Sequence, residues 1–120
     1  MSEEKSLPES LLLSVACLRE RLAEDIRVLY LGDISTVADY FVIATGTSNP
    51  HLRALSEDLD IRRKEARLKS TRKGGDPQSG WVILDFGDVV VHIMTPSLRD
   101  FYALEQLWSD AKTVDVPHED

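Results

Sequence analysis

From Pro8 onward, apolar residues recur at Leu11, Val15, Leu18 and Leu22, at spacings of four, three and four that keep them on one stripe of a helix. The period then changes. Residues 26–31 (Ile-Arg-Val-Leu-Tyr-Leu) and 39–45 (Asp-Tyr-Phe-Val-Ile-Ala-Thr) are rich in β-branched and aromatic side chains, and each runs into a polar turn with a glycine. Both read as strands. Gly46 to Pro50 breaks the second strand and supplies a capping hydroxyl and an N-terminal proline for another helix, with Leu52, Leu55, Leu59 and Ala66 as its stripe. That stripe covers only about 60° of arc, so the helix should lie on a sheet with most of its girth in water. Lys69 to Arg72 reads as a short strand, and Lys73 to Gly80, dense in turn formers, as a loop. Trp81 to Phe86 and Val89 to Met94 flank Gly87-Asp88, which predicts a hairpin, and Thr95-Pro96-Ser97 opens a last helix running to about Ala111.

These elements make a single mixed α/β domain over residues 10–111, between an N-terminal tail, 1–9, and an acidic C-terminal tail, 112–120, whose end from Val114 should fray. With 120 residues, 42% of them hydrophobic, the chain can fill one core but not two. Its longest apolar runs fall far short of the roughly 20 residues that cross a bilayer. No basic, apolar leader opens it, and the single Cys17 can close no internal bridge. A cytoplasmic protein without membrane contact is expected.

The charge is uneven. Residues 62–73 hold seven basic residues against Glu65, a balance of +6 in a chain of net charge −7, which leaves −13 for the remainder. A run this dense can attract phosphate through counterion release, with Arg67, Lys69 and Arg72 as candidate RNA or anion contacts. Cations near a helix C-terminus also suit the helix dipole, and no aromatic residue lies in the run to stack on a base.

Converging catalytic groups are harder to find. His51, His92 and His118 are scattered, so no metal and no cofactor is expected. His92 alternates with Val90 and Met94 on one strand face, which favours a hydrogen-bonded, half-buried imidazole over a general base. Cys17, with no cation beside it in sequence, reads as a buried and inert thiol. Gly46 and Ser48, followed by Asp58-Leu59-Asp60, imitate the glycine-serine and paired-carboxylate pattern of nucleotidyltransferases. Two carboxylates converge on one metal ion from alternate positions of a strand, whereas on the predicted helix Asp58 and Asp60 diverge by about 160°. The turn into that helix offers free N–H groups to an anion, or merely caps the helix.

The last helix carries a surplus. Leu98, Phe101, Leu104, Trp108 and Ala111 form a core stripe, while Tyr102 and Leu107 flank it and widen the apolar arc to about 220°, where a helix on a sheet needs little over 100°. Exposed Tyr102 and Trp81, ringed by Arg99 and Glu105, would have the make-up of a protein–protein hot spot; the alternative is that both rings are core.

Three ordered blocks carry a family resemblance. Ala38 to Ser48 (Ala-Asp-Tyr-Phe-Val-Ile-Ala-Thr-Gly-Thr-Ser), Gly80 to Met94, and Arg99 to Trp108 (Arg-Asp-Phe-Tyr-Ala-Leu-Glu-Gln-Leu-Trp) look like the ribosomal silencing factors, also called the Iojap family, over about Ser10 to Ser109. Tyr30, where the family often has an acid, and the turn Gly74 to Gly80 depart from the pattern. The resemblance implies a small mixed sheet of about five strands flanked by helices, like a nucleotidyltransferase fold without the activity. It also implies a non-enzymatic translation repressor that binds the large ribosomal subunit through ribosomal protein uL14 and sterically blocks subunit joining. Its docking surface would include Trp81, Arg99, Tyr102, Glu105, Leu107 and Trp108, with a possible second contact to ribosomal RNA and a homodimer when free. The competing expectations are a metal-dependent nucleotidyltransferase using Ser48, Asp58 and Asp60, and an RNA-binding module centred on residues 62–73.

Overall fold

The computed structural model describes residues 7–69 and 72–117, the side chains of 72 and 73 excepted. Helix α1 (Glu9–Glu20) leads into strand β1 (Glu24–Tyr30), and β2 (Tyr40–Thr45) into α2 (Asn49–Glu65). Then come β3 (Arg72–Asp76), a 3-10 turn (Pro77–Ser79), β4 (Trp81–Asp85) and β5 (Val89–Met94). Two short helices, α3 (Pro96–Tyr102) and α4 (Leu104–Leu107), and a final strand, β6 (Lys112–Thr113), complete the chain.

The strands form one six-stranded sheet in the order β3-β4-β5-β2-β1-β6, one strand more than expected. Only β2 and β5 run parallel. A parallel pair cannot be closed by a hairpin, so the chain crosses over through α2 and the β3–β4 pair before returning beside β2. The predicted hairpin at Gly87-Asp88 joins β4 to β5.

Alternation along the strands divides the apolar residues between the two faces. Val28, Val42, Ala44, Val82, Leu84, Val91 and Ile93 pack under Leu11, Val15 and Leu18 of α1 and Leu52, Leu55 and Leu59 of α2. On the opposite face Leu29, Ile43 and Met94 meet Leu98, Leu104 and Trp108, so α3 and α4 cover only part of it. The Ser48 hydroxyl accepts from the His51 N–H and caps α2, with proline in the first turn, as its sequence predicts.

Five expectations need correction. The first helix stops at Glu20; Leu22 follows its cap in the left-handed region (φ 63°), is 77% exposed and leaves the stripe. Ala66 likewise caps α2 instead of extending it. The strand placed at Lys69 to Arg72 lies at Arg72–Asp76, inside the segment read as a loop. Pairing with β4 holds it extended, and at Gly75 the backbone takes a positive φ of 68° where a Cβ would collide with the Trp81 carbonyl. The single last helix is two, broken at Ala103 (φ 47°, ψ 53°), and it ends well before Ala111. Beyond it the chain is tied down rather than frayed: β6 pairs with β1, Val116 is buried, and Arg19 donates to the Val116 and Pro117 carbonyls at 2.6 and 3.1 Å. The rest of the tail, 118–120, and residues 1–6 lie outside the described residues.

Candidate functional site

The break in the last helix is built by one side chain. Arg99 is 7% exposed, and its guanidinium grips the Glu105 carboxylate through Nε and Nη2 at 2.9 and 2.6 Å, reaching across Ala103. Its Nη1 donates to the Thr45 hydroxyl at 2.9 Å, at the end of β2. The bulge in β1, where Asp25 has φ 49°, brings a second carboxylate to 3.7 Å from Nη2. A planar fork held on three sides fixes the direction in which α3 and α4 leave each other.

That direction leaves apolar groups in water. Phe101 is 77% exposed, Leu107 71% and Tyr102 49%. Phe101, expected in the core stripe, is therefore a surface residue, because the kink swings the end of α3 away from the sheet. Tyr102 packs its ring against Trp81 (centroids 4.8 Å) and edge-on against Phe101 (4.9 Å). Trp81 is only partly buried, and Trp108, also partly buried, meets Phe41 edge-on at 5.9 Å. Of the six residues expected to dock a partner, Tyr102 and Leu107 are exposed, and Trp81, Glu105 and Trp108 lie at the margin. Arg99 is not at the rim at all: it is an internal strut.

Sequence reasoning missed the support beneath this face. The Trp81 indole N–H donates to Nδ1 of His92 at 3.1 Å, and the Phe41 ring packs against the imidazole at a tilt of 60°, centroids 4.7 Å apart. An indole nitrogen can only donate, so Nδ1 must accept, and the neutral ring carries its proton on Nε2. Burial pushes the His92 pKa down from 6.5 to about 4, against a weaker upward pull from the Asp85 carboxylate. The imidazole is satisfied on one side only, since Nε2 is buried without a partner. A tryptophan and a histidine at diagonal positions on one face of a predicted hairpin were the available signal.

The enzyme-like pattern does not assemble. Asp58 accepts from Arg21 at 3.1 Å and forms an ion pair with Arg62 at 3.0 Å, whereas Asp60 binds Arg63 at 2.7 Å and Lys64 at 3.4 Å. The Arg21 hydrogen bond holds the Asp58 carboxyl below its usual range. The Cys17 thiol, donating to Asp58 at 3.3 Å, is pushed up to about 12 by burial and then by that carboxylate. At the Gly46 turn the Thr47 N–H goes to His51 Nδ1 and the His51 N–H to Ser48, so the turn spends its donors on capping. A polar cleft of about 410 Å³ lies where β2 and β5 end, but Glu24, Asp25, Asp100 and Glu105 line it. That acidity would repel phosphates, and Arg99 is already engaged.

The basic segment is likewise half consumed. Arg62 is paired with Glu20 and Asp58, and Arg63 and Lys64 with Asp60. Arg67 and Lys69 are exposed and form no ion pair among the described residues. The side chain of Arg72 lies outside the described residues.

The chain is thus an α/β domain with one sheet face closed, the other partly open, and an aromatic cluster beside the opening. The model of the family described as "Ribosomal silencing factor during starvation" matches residues 4–120, and the chain belongs to that family. It is 37% identical over 108 residues to the ribosomal silencing factor RsfS of Halalkalibacterium halodurans, covering 90% of this chain and 92% of that one. It is also 37% identical over 98 residues to the mouse protein named mitochondrial assembly of ribosomal large subunit protein 1, covering 79% of this chain but 43% of the mouse protein. A crystal structure of a Chromobacterium violaceum protein superposes with a TM-score of 0.82 at 31% identity, covering 95% of this chain and 92% of that one.

Proposed function

We propose that this protein represses translation by docking on the large ribosomal subunit, through ribosomal protein uL14, and keeping the small subunit off by its bulk. The observation that carries the reading is that Phe101, Tyr102 and Leu107 are left in water, with the half-buried Trp81 against Tyr102, beside a buried, charge-locked Arg99. Apolar groups on a rigid support are what a protein partner can cover at small entropic cost. Acidic neighbours, among them Asp100, Glu105 and Asp110, suit a basic ribosomal surface. The names of the relatives agree with a regulatory role rather than an enzymatic one. The separate pairing of Asp58 and Asp60 and the acidic cleft at the strand ends argue the same way. Arg67 and Lys69 supply a second, weaker contact to ribosomal RNA, and the free protein pairs with itself through the same aromatic face.

Sedimentation of separated subunits with added protein tests this. Co-migration with the large subunit alone and a fall in joined ribosomes is the expected result, with Trp81→Ala and Tyr102→Ala each losing at least tenfold in affinity. Neutralising Arg67 and Lys69 should cost less and mainly flatten the salt dependence. Full binding by the two aromatic variants, with none after charge neutralisation, would place docking on the RNA instead.

A further inference from the structure

The half of the second sheet face that α3 and α4 leave uncovered is a shaped groove. It measures about 450 Å³ and is lined by Phe41, Ile83, Asp85, Val90, His92, Gly74 and, from the loop before β2, Val37. Two of these residues are unusual for a bare sheet surface. Val37 is 76% exposed, a large apolar group with no packing role of its own. Gly74 has ordinary backbone angles and room for a side chain: a Cβ built there would meet only Ile83, at 3.8 and 3.9 Å, in normal contact. The groove is open at that point because the side chain is missing, not because the backbone demands glycine.

The second observation is independent of shape. His92 is 93% buried, and its hydrogen bond from Trp81 forces the proton onto Nε2, which has no partner. A buried donor left unpaired costs about 1–3 kcal/mol, so this wall of the groove carries a polar cost that the fold itself does not repay. Beside it run Ile83 and Phe41, which ask for an apolar group, and the loop that carries Val37 also holds exposed Asp33 and Asp39. The groove is continuous with the aromatic cluster, because Trp81 and Ile83 are neighbours on the same face of β4 and Trp81 touches both His92 and Tyr102.

We infer that this groove is a second pocket of the docking surface, taking an apolar side chain of the basic ribosomal protein partner. This rests on the docking reading above and names further specificity-determining positions, Gly74 and Val37, that are not among the residues assigned to it. An apolar side chain on an ordinary stretch of extended polypeptide fits between Val37 and β3 without a helix having to form.

Binding of purified large subunits to the full-length protein and to Gly74→Val, Val37→Ser and Trp81→Ala tests it. Gly74→Val fills the groove from its floor and should weaken binding at least tenfold; Val37→Ser removes one wall and should weaken it about threefold. Circular dichroism and the thermal midpoint should stay near the parent values for Val37→Ser, which decides the matter if Gly74→Val proves unstable. Wild-type affinity in both groove variants, with loss only in Trp81→Ala, would overturn the groove and leave the aromatic docking reading standing. Wild-type affinity in all three would overturn both. If the groove variants keep large-subunit binding but no longer self-associate in analytical ultracentrifugation, a second copy of the chain is the occupant and the inference falls.

Discussion

Protonation of His92 should destabilise the protein as the pH falls, by an amount set by its burial. In the unfolded chain the imidazole titrates at 6.5; in the fold, burial holds it at about 4. Between these values the unfolded state takes up a proton that the folded state refuses. Stability is therefore complete above pH 6.5, is lost as the pH drops through the window, and stops falling from this source near pH 4. At roughly 1.4 kcal/mol per pH unit, the full loss is about 3 kcal/mol, of which about 2 is reached by pH 5. The geometry supplies the cause: a charged ring would lose the acceptor that Trp81 uses at 3.1 Å and would sit under Phe41 without water. Urea unfolding at pH 7 and pH 5, followed by tryptophan fluorescence, measures the difference, with His92→Gln as reference. The reference also removes the contribution of carboxylates such as Asp58, whose pKa is lowered by Arg21 and which destabilise both proteins alike on protonation. The parent should lose about 2 kcal/mol more than His92→Gln over that interval. Equal losses would refute the argument that burial keeps this imidazole neutral.

Replacing Arg99 by Met should cost about 3 kcal/mol, because Glu105 and Thr45 lose a buried partner. Chemical denaturation measures it, and large-subunit binding should weaken with it even in the folded fraction. Ala103→Gly should act the other way and stabilise by about 0.5–1 kcal/mol in the same assay, since Ala103 has φ 47° and glycine adopts that region without steric strain. The Cys17 thiol, pushed up to about 12 and buried, should resist iodoacetamide at pH 8 in the native protein and react on unfolding. Rapid native labelling, read by mass spectrometry, would contradict this placement.

What was legible in the sequence was whatever local periodicity decides. The stripes Leu11-Val15-Leu18 and Leu52-Leu55-Leu59 are buried where predicted, and the Gly87-Asp88 hairpin and the Ser48 cap stand as read. Errors fall where a distant partner overrules the local pattern. Lys73 to Asp76 contains two glycines and precedes a proline, so composition says loop; β4 makes it a strand. The last helix has neither glycine nor proline to mark its break, which comes from Arg99 reaching Glu105 and Thr45, the latter 54 residues away. For the same reason Arg99 looked like a rim charge and Phe101 like core. The candidate face was visible as an excess of apolar arc, but the His92 support and the open groove depend on cross-strand neighbours that spacing alone does not place.

The two sheet faces explain why that excess exists. Two helices of 12 and 17 residues close the first face over β-branched and leucine side chains that need no further partner. The second face has only α3 and α4, of seven and four residues, set at an angle by the Arg99 fork. Such short helices would fray in isolation, since a single turn repays little of its ordering entropy. Here the fork and the β6 strand pin them at both ends. Were stability the sole requirement, polar residues at 101 and 107 would serve as well, because Phe101 and Leu107 bury little in their own chain. Their apolar area becomes useful only when another molecule covers it. On the docking reading the charge lock has a purpose beyond folding: it would order the exposed rings before a partner arrives, so that ordering is not subtracted from the binding free energy.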